Sequence, residues 1–264
     1  AVIGFTLLVI MGEIDLAVGS MYGLSGTLVG FCMTVWKWRL FPSSLAVLAV
    51  CALFGFFVGF LVTRFRLNSM MVTLGTLSFV SGVNAVVFNS FPAMTYNSEY
   101  RALAKFKIGG IHWTILAMVV LTIVLELCLK KIARMRKLYY IGNGQETARL
   151  YGINSDRIKR VAFMISALAS AFAGIIATSR ITHSDILTGS GLEFTLITGL
   201  VVAGASLAGG KGGILKAALG MIFIAMLANG MTIYRIDPFI QQVAQGLVLI
   251  VAVFLDVRMN SAKV

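Results

Sequence analysis

The segment Met11-Gly12-Glu13-Ile14-Asp15-Leu16-Ala17-Val18-Gly19-Ser20 carries the strongest chemical signal in the chain. Two carboxylates, Glu13 and Asp15, lie between apolar runs. An ionisable group at the centre of a membrane-spanning helix costs roughly 2.5–3.5 kcal/mol. Acids at such depth face a cavity, a partner or a helix terminus. Two readings follow. In one, Glu13, Asp15 and Ser20 line a path through the membrane. In the other, both acids mark the cytoplasmic boundary of adjacent helices, and Asp15 caps a helix starting near Leu16.

Other familiar chemistry fails on spacing. Ala208-Gly209-Gly210-Lys211-Gly212-Gly213 is glycine-rich. A phosphate loop, however, needs Gly at 205, where Ala stands, and a magnesium-binding Ser or Thr at 212, where Gly stands. His112 and His183 are 71 positions apart, with no metal-ligand neighbour at helical spacing. No nucleophile elbow or paired-carboxylate site is legible. Catalysis and resident metals are therefore not expected. Cys32, Cys51 and Cys128 lie in apolar stretches without CxxC spacing and read as small buried hydrophobes.

The elements that must position these residues follow from composition. Of 264 residues, 59% are hydrophobic and only 12% charged, against about 25% charged in soluble domains. Mean hydropathy is +0.94. Soluble enzymes, coiled coils and disordered chains are excluded. The expectation is an all-α polytopic membrane bundle forming a single domain, 1–264, since lipid-facing barrels need strict alternation. Spans are read at 1–12 (the tail of a truncated first span), 16–35, 40–63, 67–98 (one helix plus an extended piece), 108–125, 161–179, 194–210, 217–234 and 238–255. That gives nine, and one upstream helix would make ten.

The net charge of +12 comes from basic residues in short gaps, not along one face, so nucleic acid is not implied. Residues 130–160 are the most basic and are placed in the cytoplasm. Alternation then puts 15 basic residues inside and 7 outside, with a cytoplasmic C-terminus. The pairs Gly19/Gly23, Gly26/Gly30 and Gly55/Gly59 read as close helix contacts. Pro42, Pro92 and Pro238 sit near span ends. Within the basic loop, residues 145–151 read as a short amphipathic helix ended by a left-handed Gly152. Asn68, Ser78, Asn84, Asn229, Gln241 and Gln242 are polar residues in or beside apolar runs, suited either to a hydrophilic path or to helix–helix contacts.

Four segments together resemble the permease subunits of ribose-type sugar ABC importers. Residues 11–20 resemble G-G-I-D-L-S-V-G-S, and 141–154 (Ile-Gly-Asn-Gly-Gln-Glu-Thr-Ala-Arg-Leu-Tyr-Gly-Ile-Asn) resemble the family's cytoplasmic loop. Gly191-Leu192-Glu193 through Gly212 and Asn229-Gly230 through Val243 supply the other two, in register. Glu13 stands where the signature has Gly, Thr195 where Asp is frequent, and Lys216 where a small residue is usual. The I-D-L-A-V-G-S and Q-Q-V stretches favour the sugar branch over the related branched-chain amino acid permeases. A secondary transporter would bring an ion site and half-repeats, which are not legible.

The resemblance implies a coupling helix, with Gly142, Glu146, Ala148, Arg149 and Gly152 meeting a partner ATPase. It implies that ATP and magnesium bind that partner and that no cofactor binds this chain. It also implies a periplasmic or extracellular solute-binding protein, a second permease chain (identical or different) and a place in the bilayer of the bacterial cytoplasmic (inner) membrane. Glu13, Asp15, Ser20, Asn68, Asn84, Glu193, Asn229, Gln241 and Gln242 are the candidate pathway residues.

Overall fold

A computed structural model describes residues 1–90, 98–181 and 186–261. Pro92, His183 and Lys263 lie outside them. The helices are α1 (Val2–Ile10), α2 (Val18–Thr34), α3 (Leu40–Phe65), α4 (Ser69–Ser90), α5 (Ser98–Lys105), α6 (Trp113–Lys131), α7 (Ala133–Asn143), α8 (Gln145–Leu150), α9 (Ser155–Ile181), α10 (Leu192–Val202), α11 (Ile214–Ile233) and α12 (Pro238–Ser261). A two-residue antiparallel pair, β1 (Lys107–Ile108) and β2 (Ile111–His112), precedes α6.

The all-α membrane bundle stands, but the count of nine spans is corrected. Among the described residues, six helices are long and apolar enough to cross a bilayer: α3, α4, α6, α9, α11 and α12. Crossing takes about 20 residues at 1.5 Å each. Helix α2 has 17 residues and α10 has 11. The run read as a span at 194–210 therefore holds a half-length helix followed by a loop.

Helices α1, α8 and α10 stop for a shared reason. After α1, Gly12 (φ +75°) donates its N–H to Val9 O and Glu13 donates to Leu8 O. After α10, Gly204 (φ +80°) donates to Val201 O and Ala205 to Leu200 O. After α8, Gly152 (φ +70°) donates to Arg149 O and Ile153 to Ala148 O. Each is a left-handed glycine closing the last turn on itself.

The 27-residue α9 is the central post, packed against α1, α2 and α3. Helix α2 runs parallel to it: Asp15, just before α2, meets Ser166, and a Cβ on Gly26 would overlap Thr178. Helix α3 runs antiparallel, with Gly55 against Ala167 and Gly59 against Arg160 and Phe163. Gly55/Gly59 thus serves helix packing. Gly19/Gly23 instead makes room for chain: their Cβ atoms would overlap the carbonyls of Gly189 and Thr188. The segment before α10 therefore turns back into the bundle beside α2.

Several threonine hydroxyls within the bundle are satisfied locally. Thr6, Thr63, Thr73, Thr178 and Thr198 each donate to the carbonyl four residues earlier. Large exposed apolar side chains such as Phe41, Leu53, Met71, Val243 and Ile250 face outward, as a hydrocarbon surround requires.

Candidate functional site

The acidic segment is an irregular turn between α1 and α2, held by neighbours on both sides. Ser69 of α4 accepts the Ile14 N–H (3.4 Å), and Thr73 donates to the Ile14 carbonyl (3.2 Å). Asp15 is buried; its Oδ1 accepts the Ala17 N–H (3.0 Å) and its Oδ2 accepts the Ser166 hydroxyl (3.0 Å). The helix begins later than expected, with Ala17 at the capping position and no side-chain cap. Asp15 accordingly closes a turn ahead of the helix and ties it to α9.

Glu13 is also buried and forms an ion pair with Lys159 of α9. Lys159 donates as well to Oε1 of Gln145, the first residue of α8 (3.2 Å). A polar cleft of about 440 Å³ opens beside this pair, lined among others by Thr63, Arg66, Asn68, Glu146 and Arg149.

A second junction consists of backbone. A Cβ on Gly142, at the end of α7, would overlap the Ile10 carbonyl oxygen and the Gly210 amide. Gly210 donates its N–H to Ile10 O (2.8 Å). A Cβ on Gly209 would lie 2.8 Å from the Gly12 nitrogen. The Tyr139 hydroxyl donates to Gly212 O (2.9 Å). Burial, then the Glu126 carboxylate, pushes that phenol above its usual range, so it stays a neutral donor. The glycine-rich stretch dismissed as a phosphate loop thus has a structural use. It closes on the ends of α1 and α7.

On α8, Ala148 is buried, while Glu146, Arg149, Leu150 and the C-cap residue Tyr151 are exposed. No Cβ clash restrains Gly152; its φ of +70° does.

Of the nine pathway candidates, the structure gathers Ser20, Asn84 and Glu193 around a small cavity of about 50 Å³, with Ser81 and Gly189. All three are buried. Asn84 Nδ2 donates to Ile186 O (3.4 Å), and its Oδ1 has no hydrogen-bond partner among the described residues. Asn68 sits apart and accepts the Met70 N–H, holding the start of α4 (2.9 Å). Asn229 and Gln242 are exposed on α11 and α12, and Gln241 donates to Ile236 O at the turn between them (2.9 Å). These four do not join the cluster.

Sequence reasoning passed over Lys159, Ser166, Gln145 and Tyr139. The first two carried a signal: Lys159, Ser166 and Ser170 fall seven and four residues apart, one polar stripe on an apolar helix.

The family described as "branched-chain amino acid transport system / permease component" matches residues 1–253. The chain belongs to this permease family. A probable ABC transporter permease of Sinorhizobium fredii (y4mJ) is 33% identical to the permease over 96% of this chain and 76% of the relative. The ribose import permease RbsC of Haemophilus influenzae is 29% identical over 99% of this chain and 82% of that protein. The autoinducer 2 import system permease LsrC of Yersinia enterocolitica is 32% identical over 98% and 72%. No solved structure matches it. The permease is thus a multi-pass membrane subunit of an ABC importer and not itself an enzyme.

Proposed function

We propose that this chain forms the translocation path for a sugar or sugar-like solute and is driven through α8 by a separate ATPase. The carrying observation is α8 itself. It is anchored by buried Ala148, presents Glu146, Arg149, Leu150 and Tyr151 outward, and adjoins the turn holding Glu13 through Lys159. An isolated six-residue helix is not stable in water. Its exposed Leu150 and Tyr151 suit a receiving groove on another protein.

ATP and magnesium belong to that ATPase, and this chain binds no cofactor. A solute-binding protein delivers cargo, and a second permease chain completes the path in the bacterial cytoplasmic membrane, with the C-terminus cytoplasmic. Gly142, Glu146, Ala148, Arg149 and Gly152 act in coupling. Ser20, Asn84 and Glu193 are the best-grouped pathway residues, with hydrogen-bonding atoms suited to hydroxyls. The ribose and autoinducer 2 names among the relatives support a polyhydroxylated cargo. The family description keeps branched-chain amino acids as a second reading.

A mild-detergent pull-down of the tagged chain from its native host tests the reading. Recovery of an ATPase subunit, lost in Gly152→Pro, supports it. Purification without any ATPase, with uptake that follows an ion gradient, overturns it. Competition of uptake by ribose or by leucine separates the two cargo classes.

A further inference from the structure

We infer that Lys159 is the positioning residue that carries displacement of α8 to the turn between α1 and α2; this rests on reading α8 as the coupling helix. The geometry is specific. Lys159 is buried (8% exposed) on the second turn of α9 and faces two elements at once. One is the turn, through the ion pair with Glu13; the other is α8, through Gln145 Oε1 at 3.2 Å.

An ammonium offers three donors and no acceptor, so one nitrogen can hold both oxygens. The two ties differ in strength. Glu13 and Lys159 are both buried, and separating them would leave two uncompensated charges, so that tie is stiff. The bond to the neutral Gln145 amide is weak and exchangeable. When α8 shifts, the Gln145 bond stretches or breaks. Lys159 then shifts with its stiff partner Glu13, and the turn moves with that carboxylate.

Lys159 is the cation among the contacts that hold that turn. Beyond Glu13, Ser69 and Thr73 hold Ile14, and Ser166 holds Asp15. Ser166 lies on the same stripe of α9 as Lys159, so α9 presents both contacts on one face. A change at Lys159 therefore reaches the approach to α2 and the cavity bordered by Ser20.

Hydrogen exchange read by mass spectrometry on the purified full-length chain tests this without a substrate or an ATPase. The amides of Gly12, Glu13, Ile14 and Ala17 are all hydrogen-bonded and report on the turn. Gln145→Ala does not touch the turn, yet exchange at 11–17 should rise about two- to tenfold, the factor that one net hydrogen bond is worth. In a Lys159→Met background the same substitution should add nothing. Glu13→Ala, which leaves Lys159 no acceptor on the turn side chain, serves as a second background should Lys159→Met insert poorly, and there too the Gln145→Ala effect should vanish. Exchange at 11–17 that ignores Gln145→Ala, or effects that add independently, would overturn the relay. The pull-down decides the importer reading separately, since exchange in the isolated chain does not depend on any ATPase.

Discussion

Asp15 and Glu13 look alike in sequence but are held in different ways. Asp15 accepts two hydrogen bonds and meets no cation among the described residues. Asp15→Ala should leave the Ser166 hydroxyl and the Ala17 N–H without this acceptor and lower stability by about 1–3 kcal/mol. Thermal unfolding in detergent measures this, and Asp15→Asn should recover part of the loss. Glu13 depends instead on Lys159. Lys159→Met should cost about 3–5 kcal/mol by stranding a buried charge, whereas Glu13→Gln with Lys159→Met should cost less than Lys159→Met alone. Equal losses in the single and double variants would show that the pair matters through packing and not through charge. That both acids are special was legible from their placement between apolar runs. Their partners were not, because Ser166 and Lys159 lie about 150 positions along the chain.

Among the elements, α8 shows how local signals are read correctly and α10 how they are missed. Gly152 after a short amphipathic run marks the end of a helix, and its φ is +70°. Proline cannot adopt that angle. Gly152→Pro should release α8 from its seat while leaving membrane insertion unchanged, read by loss of ATPase co-purification with normal amounts of protein in the membrane fraction. Ala148→Trp should act similarly, because Ala148 is fully buried in an apolar cluster that includes Leu138, Ile141 and Ile153. The same stop signal, a glycine after an apolar run, stands at Gly204 within a stretch read as a continuous span. Hydropathy ignores backbone conformation, so 194–210 scored as one helix although α10 ends at Val202. Gly142→Leu should be worse tolerated than a surface change, since its Cβ meets backbone at Ile10 and Gly210, which cannot rotate away.

For the molecule as a whole, opposite exposure of two sites is predicted, because the turned-back segment, the half-length α10 and the loop after it bring the chain from the end of α9 to Gly210, which meets Ile10 and Gly142 on the side where α9 starts, before α11 sets out. Leu150, the last residue of α8, and Tyr234, in the turn between α11 and α12, are both exposed. In a chain freed of its three cysteines, Leu150→Cys should react with a membrane-impermeant thiol reagent only from the cytoplasmic face. Tyr234→Cys should react only from the opposite face. Labelling of both from one side would reverse or break the alternation drawn from the basic loops.

Composition and hydropathy sufficed for the membrane class and for most helix positions, because burial in lipid is a property of each segment alone. Motif spacing sufficed for the family, because it survives in linear order. Whether an apolar run crosses the bilayer completely depends on what covers its ends. Here α10 is covered by α11, α12 and the turned-back segment beside Gly19. The grouping of Ser20 with Asn84 and Glu193, the exclusion of Asn229 and Gln242, and the bridge from Gln145 through Lys159 to Glu13 arise between segments far apart in sequence. A hydrogen bond or ion pair needs atoms within about 3 Å, and packing around α9 brings them there.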